Sequence, residues 1–224
     1  MGLISPSQLL IWIMRGMAML LVIPMHEAAH AFVSDKLGDP TAKNLGRLTL
    51  NPMAHFDLLG AICMIFVGIG WAKPVPVYPY RYKNPKVGMA ISAAAGPLSN
   101  LLMAYITAMV YKVAYYCTPD TMFWGFIIQF LYILIAVNVS LAVFNLLPVP
   151  PFDGSRIAMV LLPQKLYFRI MQYERYIFMG MFVLLMLGVF DLPLSLLNGA
   201  VWNLLDKATL FIDKAVYAAV GMAV

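Results

Sequence analysis

The segment Leu20–Asp35, LLVIPMHEAAHAFVSD, holds Glu27, one of two glutamates in the chain, and two of the three histidines, His26 and His30, within five residues of an apolar run. At the frequencies of His and Glu in this chain, chance produces H-E-x-x-H with a probability on the order of a few in ten thousand. If the run lies in a bilayer, an ionised Glu27 also costs several kcal/mol unless something compensates it.

The composition puts the run in a bilayer. The 224 residues are 62% hydrophobic and 11% charged, with a mean hydropathy of +0.83, far from the roughly 45–50% apolar and 25% charged norm of soluble domains. Apolar runs at about 9–33, 88–116, 122–147 and 176–199 each reach the ~20 residues a spanning helix requires. A shorter run, 58–71, reads as re-entrant or partly embedded. The expected fold class is therefore an all-α polytopic membrane protein of about four to six transmembrane or membrane-embedded helices. No small-residue cleavage site follows the first run, so it belongs to the mature protein.

The basic residues set the orientation. Of 15 Lys and Arg, seven lie between the first and second runs and four between the third and fourth, while Cys117–Thr121, joining the second and third, carries none. The positive-inside rule puts 34–87 and 148–175 in the cytoplasm and the N-terminus outside. The net charge of +5 is thus topological, and the absence of any dense basic cluster argues against a nucleic-acid partner. Cys63 and Cys117 fall near opposite faces and are not expected to pair.

The cytoplasmic segments suggest short β elements: the alternation of Leu45, Arg47 and Thr49 predicts a strand within Lys43–Asn51, and the prolines of Pro74–Tyr82 predict extended chain. From Trp202 onward, Asn203, Asp206, Lys207, Asp213 and Lys214 share one helical face opposite Trp202, Leu205, Phe211 and Ile212, which predicts an interfacial amphipathic helix.

Four residues apart on a helix, His26 and His30 can present two imidazole nitrogens to one metal ion. Glu27 sits about 100° away and can reach a water at that ion as general base, the arrangement of a zinc hydrolase. Catalytic zinc usually has three protein ligands and an open position, so a third ligand is needed. The candidates are His55, Asp57, Asp153 and Glu174. Asp153, in NLLPVPPFDGSR (145–156), agrees best in depth and sidedness: Pro148, Pro150 and Pro151 break the helix and Gly154 permits a tight turn. His55 reads as a hydrogen-bonded loop residue. Pro24 removes one helical hydrogen bond and can bend its span to admit water.

HEAAH (26–30), AAAGPLSN (93–100) and NLLPVPPFDG (145–154), in that order on successive spans, resemble the site-2 protease family of intramembrane zinc metalloproteases. The match covers about 9–160, and the last motif fits the family's Asn-x-x-Pro-x-x-Pro-x-Asp-Gly pattern in full. The resemblance implies one Zn2+ per chain held by His26, His30 and Asp153, with Glu27 activating water. It further implies that Asn145 lies by the site and steadies substrate or oxyanion, and that Gly96, Pro97 and Asn100 serve close packing and a kink, with Asn100 bonding inward. With little chain before the HEAAH span and no room for a PDZ or nucleotide-binding domain, the sequence resembles the compact, prokaryotic branch.

The expectation is a single membrane-embedded metalloprotease domain over 1–224, with a core at about 9–160 and a C-terminal span and amphipathic helix at 176–224. It would hydrolyse peptide bonds within or near transmembrane segments of membrane-protein substrates. Its partners would be a transmembrane protein or peptide and the lipid bilayer; oligomeric state is open. The alternatives are a membrane metal-ion transporter, which would use Glu27 as a ligand or not at all, and a catalytically inactive binder of membrane proteins.

Overall fold

The computed structural model describes residues 5–57 and 72–220; the short run 58–71, with Cys63, lies outside them. Among the described residues three helices are long and apolar enough to cross a membrane: α1 (Pro6–Lys36), α4 (Pro85–Cys117) and α5 (Met122–Asn145). Between α1 and α4 stand two one-turn helices, α2 (Thr41–Asn44) and α3 (Pro52–His55). After α5 come α6 (Asp153–Ala158), α7 (Gln164–Gln172), α8 (Glu174–Met186), α9 (Asp191–Ala208) and α10 (Leu210–Val220).

The sequence marks its helix starts. Ser5 caps α1 in a capping box with Gln8, Asn84 and Thr121 cap α4 and α5 through their side chains, and Pro6 and Pro85 occupy first-turn positions where no N–H is needed. α1 runs on through the buried Pro24. Small residues let the spans approach closely. Ala18 of α1, Ala104 and Ala108 of α4 and Ala142 of α5 are buried, and larger side chains such as Met14, Val22, Ile135 and Val139 fill the seams. In lipid, such close packing rather than water exclusion drives association.

Three expectations need correction. Among the described residues there is no β-strand. The expected strand at Lys43–Asn51 is instead helix α2 closed by Gly46, then a turn in which the Asn51 side chain caps α3. Residues 72–78 are neither helix nor strand because side chains and the His55 carbonyl, not a neighbouring strand, take their backbone groups, and Pro79–Arg81, expected to be extended, form a 3-10 turn. The Arg47 guanidinium donates to the carbonyls of Lys73 and Pro74, and the Tyr78 N–H donates to Asp39.

The run at 176–199 is not one straight span. α8 and α9 meet at 86°, so the described helices amount to three spans, or four if this bent pair is one. Gly188 has φ +71° and closes α8 with N–H bonds from Gly188 to Leu185 and from Val189 to Leu184, a Schellman end that a side-chain-bearing residue would resist. The C-terminal helix also departs from its predicted face. The chain breaks at Thr209, which shifts the phase of α10: Asp213 is buried and Phe211 is 55% exposed. Leu205 and Trp202 of α9 pack on α4 and α5.

Candidate metal centre

His26 and His30 lie buried on the face of α1 that meets α4. Opposite them stand Ser92, Gly96 and Asn100, spaced four apart and so forming one stripe of α4. Gly96 makes the room. A methyl group at its position would come within 2.6 Å of His26 Cε1 and closer still to His30 Nε2. Below and above that gap, His30 Nδ1 lies 2.7 Å from the Ser92 carbonyl and His26 Nδ1 lies 3.0 Å from the Asn100 side-chain amide.

The third group arrives from the far end of α5. Pro148, Pro150 and Pro151 cannot prolong that helix, and Asp153 becomes the first residue of α6. Gly154 seats the start of α6 on the end of α5, where any side chain would collide with the Leu146 carbonyl. Asp153 Oδ2 then stands 3.2 Å from His26 Nε2 and 3.3 Å from His30 Nε2, and the two Nε2 atoms are 3.1 Å apart.

These distances suit a metal. Donors bound at about 2.0–2.1 Å to a tetrahedral zinc are separated from each other by about 3.3 Å. The protonation pattern agrees. A carbonyl can only accept, so His30 Nδ1 carries a hydrogen and the Nε2 of the neutral ring is a bare lone pair. That lone pair faces a buried carboxylate oxygen, Asp153 Oδ2, which has no hydrogen-bond partner. Acceptors brought this close repel one another unless a cation or a shared proton lies between them, and a bound metal ion meets that need. Among the described residues, His26, His30 and Asp153 are the group of His, Cys, Asp and Glu side chains close enough to share one ion.

A cavity of about 400 Å³ opens onto this cluster and is lined by Glu27, Asn145 and Arg156 as well as by the three side chains. Glu27 is half-buried, next to His26 on the same turn. Asn145 donates one amide hydrogen to the Leu141 carbonyl at 3.0 Å, which leaves its second free for another acceptor. Apolar walls come from Phe178, Phe182 and Leu185 of α8 and from Pro74, Val75 and Val77 of the irregular segment.

The other ligand candidates stand apart. His55 is buried, donates from Nε2 to the Thr49 carbonyl at 2.9 Å, and accepts at its own carbonyl from the Lys73 N–H, so it braces the connection between α2 and residues 72–78. Glu174 pairs with Arg156 at 2.8 Å, and Asp57 is not part of the cluster. The Ser92 carbonyl escaped sequence reasoning because a backbone acceptor has no residue-type signal. The α8 wall was invisible because apolar composition does not say which face of a helix lines a cavity.

An integral membrane protein, without strands among its described residues and with a two-histidine, one-carboxylate cradle among its spans, is the class that the fold and the cluster define. The chain belongs to Peptidase family M50, the site-2 protease family. The family model matches residues 110–188. The "Putative zinc metalloprotease YwhC" of Bacillus subtilis is 43% identical over 162 residues, 71% of this chain and 74% of that protein. "Putative zinc metalloprotease Rip2" of Mycolicibacterium smegmatis is 32% identical over 140 residues, 60% of this chain and 52% of the relative. "Putative zinc metalloprotease MJ0611" of Methanocaldococcus jannaschii is 33% identical over 101 residues, 45% and 49% of the two chains. No solved structure matches.

Proposed function

We propose that the chain is a zinc-dependent intramembrane endopeptidase that hydrolyses peptide bonds within or near the transmembrane segments of membrane proteins. The observation that carries this reading is the convergence of His26 Nε2, His30 Nε2 and Asp153 Oδ2 within 3.3 Å of one another, beside a glutamate, in a cavity among apolar helices. Those three atoms would hold one Zn2+, which when bound would supply Lewis-acid polarisation of the scissile carbonyl and make the attacking water more acidic. Glu27 takes the proton from that water as the C–O bond forms and delivers it to the leaving amine as the C–N bond breaks. The remaining amide hydrogen of Asn145 steadies the oxyanion or the substrate backbone.

A peptide bond inside a helix is shielded by its own hydrogen bonds, so the substrate must be unwound at the cleavage point. Residues 72–78, which flank the cavity through Pro74, Val75 and Val77, are the surface along which an unwound stretch lies. The cavity opens where the C-terminal part of α1 meets the C-terminal end of α5, next to the Lys- and Arg-rich connections, and the positive-inside rule supports a cytoplasmic opening.

The test is expression with candidate single-span membrane substrates, comparing wild type with Glu27→Gln and measuring bound zinc in both. Lost cleavage with zinc retained is expected. A wild type that binds zinc yet cleaves nothing across a broad membrane-proteome screen would sink the proposal, and dependence of zinc binding itself on Glu27 would favour a transporter.

A further inference from the structure

The sequence suggests packing and an inward bond for Asn100, and its environment names the partner. Its side chain is fully buried in the middle of α4, a place where an amide costs free energy unless both ends are paired. One end lies 3.0 Å from His26 Nδ1, and the Oδ1 atom has no hydrogen-bond partner. A half-turn of the amide plane exchanges Nδ2 and Oδ1 without moving anything else, since the two atoms differ only in the hydrogens they carry.

We propose that Asn100 is the positioning residue for His26, accepting a hydrogen bond at Oδ1 from His26 Nδ1–H and so keeping His26 Nε2 bare towards His30 and Asp153. The inference rests on the metal-site reading above. If Nδ2 donated to Nδ1 instead, the neutral ring would carry its hydrogen on Nε2, pointed at His30 Nε2 and Asp153 Oδ2, and could not bind a metal through that atom. His30 already shows the required pattern, because its Nδ1 faces a carbonyl that can only accept. The stripe Ser92, Gly96, Asn100 then has a single purpose. One acceptor on each side of a side-chain-free gap fixes both imidazoles in the same tautomer, and such outer partners orient ligands and raise their basicity.

The experiment uses the detergent-purified full chain, with zinc affinity measured by chelator competition and the visible spectrum of the Co2+-loaded protein as an independent readout. The variants are Asn100→Leu, of similar shape without hydrogen-bonding groups, and Asn100→Asp, which keeps the acceptor and removes the donor. The expected result is roughly 10–100-fold weaker zinc binding and an altered Co2+ spectrum for Asn100→Leu, with affinity kept or strengthened in Asn100→Asp. Equal weakening in both variants would overturn the proposal, since it would make the amide a donor or a packing group, and so would an Asn100→Leu variant indistinguishable from wild type. If Asn100→Leu fails to fold, Asn100→Asp decides alone: wild-type or tighter binding supports the acceptor role and weaker binding refutes it. Failure of wild type to bind zinc is a different result, and counts against the metal site itself.

Discussion

At the scale of single residues, the site depends on an atom that is missing. Gly96 has no side chain, and the imidazoles of His26 and His30 occupy the space one would fill. Gly96→Ala is therefore expected to displace both rings and weaken zinc binding by at least about tenfold, some 1.4 kcal/mol. Gly16→Ala, at a position with nothing within 4 Å, should leave zinc binding at the wild-type value. Equal zinc affinities for the two variants in chelator competition would contradict the packing described. His26, Glu27 and His30 are legible in the sequence because a four-residue spacing on one helix is local information. Asp153 is legible because three prolines announce the break that delivers it. The partners of the imidazoles are not, since Ser92 and Asn100 reach them only through the packing of α1 on α4, and no spacing along the chain encodes that register.

At the scale of elements, the connection between α1 and α4 is held by side chains acting on backbone groups. Arg47 donates to the carbonyls of Ala54, Lys73 and Pro74, while Asp39 accepts from the Thr41 N–H at 3.1 Å and from the Tyr78 N–H at 2.6 Å. Alternation of residue types suggested strands here. It could not reveal that Gly46 ends a helix or that a buried arginine consumes the hydrogen bonds a ladder would need. Burial opposes the charge on Asp39, but the Thr41 hydroxyl, the Tyr78 and Thr41 amides and the Arg81 guanidinium outweigh it and hold the carboxyl below its ordinary range. A folded-state pKa below the unfolded one gives stability that is fully present above about pH 4 and lost as pH falls through the lowered value. Thermal unfolding of wild type should thus lose more stability between about pH 5 and about pH 2 than that of Asp39→Asn. Parallel losses in the two proteins would show that Asp39 contributes nothing through its charge.

At the scale of the whole molecule, the His26, His30 and Asp153 cluster lies against the N-terminal half of α4 and the C-terminal helices pack on its C-terminal half. Lys112 lies 16 residues beyond Gly96, about 24 Å along the helix axis, which is most of a ~30 Å hydrocarbon core. Its ammonium pairs with Asp206 of α9 at 2.8 Å and with the buried Asp213 of α10, which also accepts from the Tyr116 hydroxyl at 2.9 Å. Removing the cation leaves Asp213 with the Tyr116 hydroxyl as its remaining partner, so Lys112→Met should lower stability by about 1–3 kcal/mol while zinc content per folded molecule stays at the wild-type value. Zinc loss in step with stability would mean that the two ends of α4 are coupled. The claim on which all else depends is the donor set, and X-ray absorption at the zinc edge of the purified protein tests it most directly. The expected shell is two imidazole nitrogens and carboxylate oxygen at about 2.0–2.2 Å without sulfur, lost in Asp153→Asn and kept in Glu174→Gln; a shell containing sulfur, or one that Asp153→Asn leaves unchanged, would contradict this donor set.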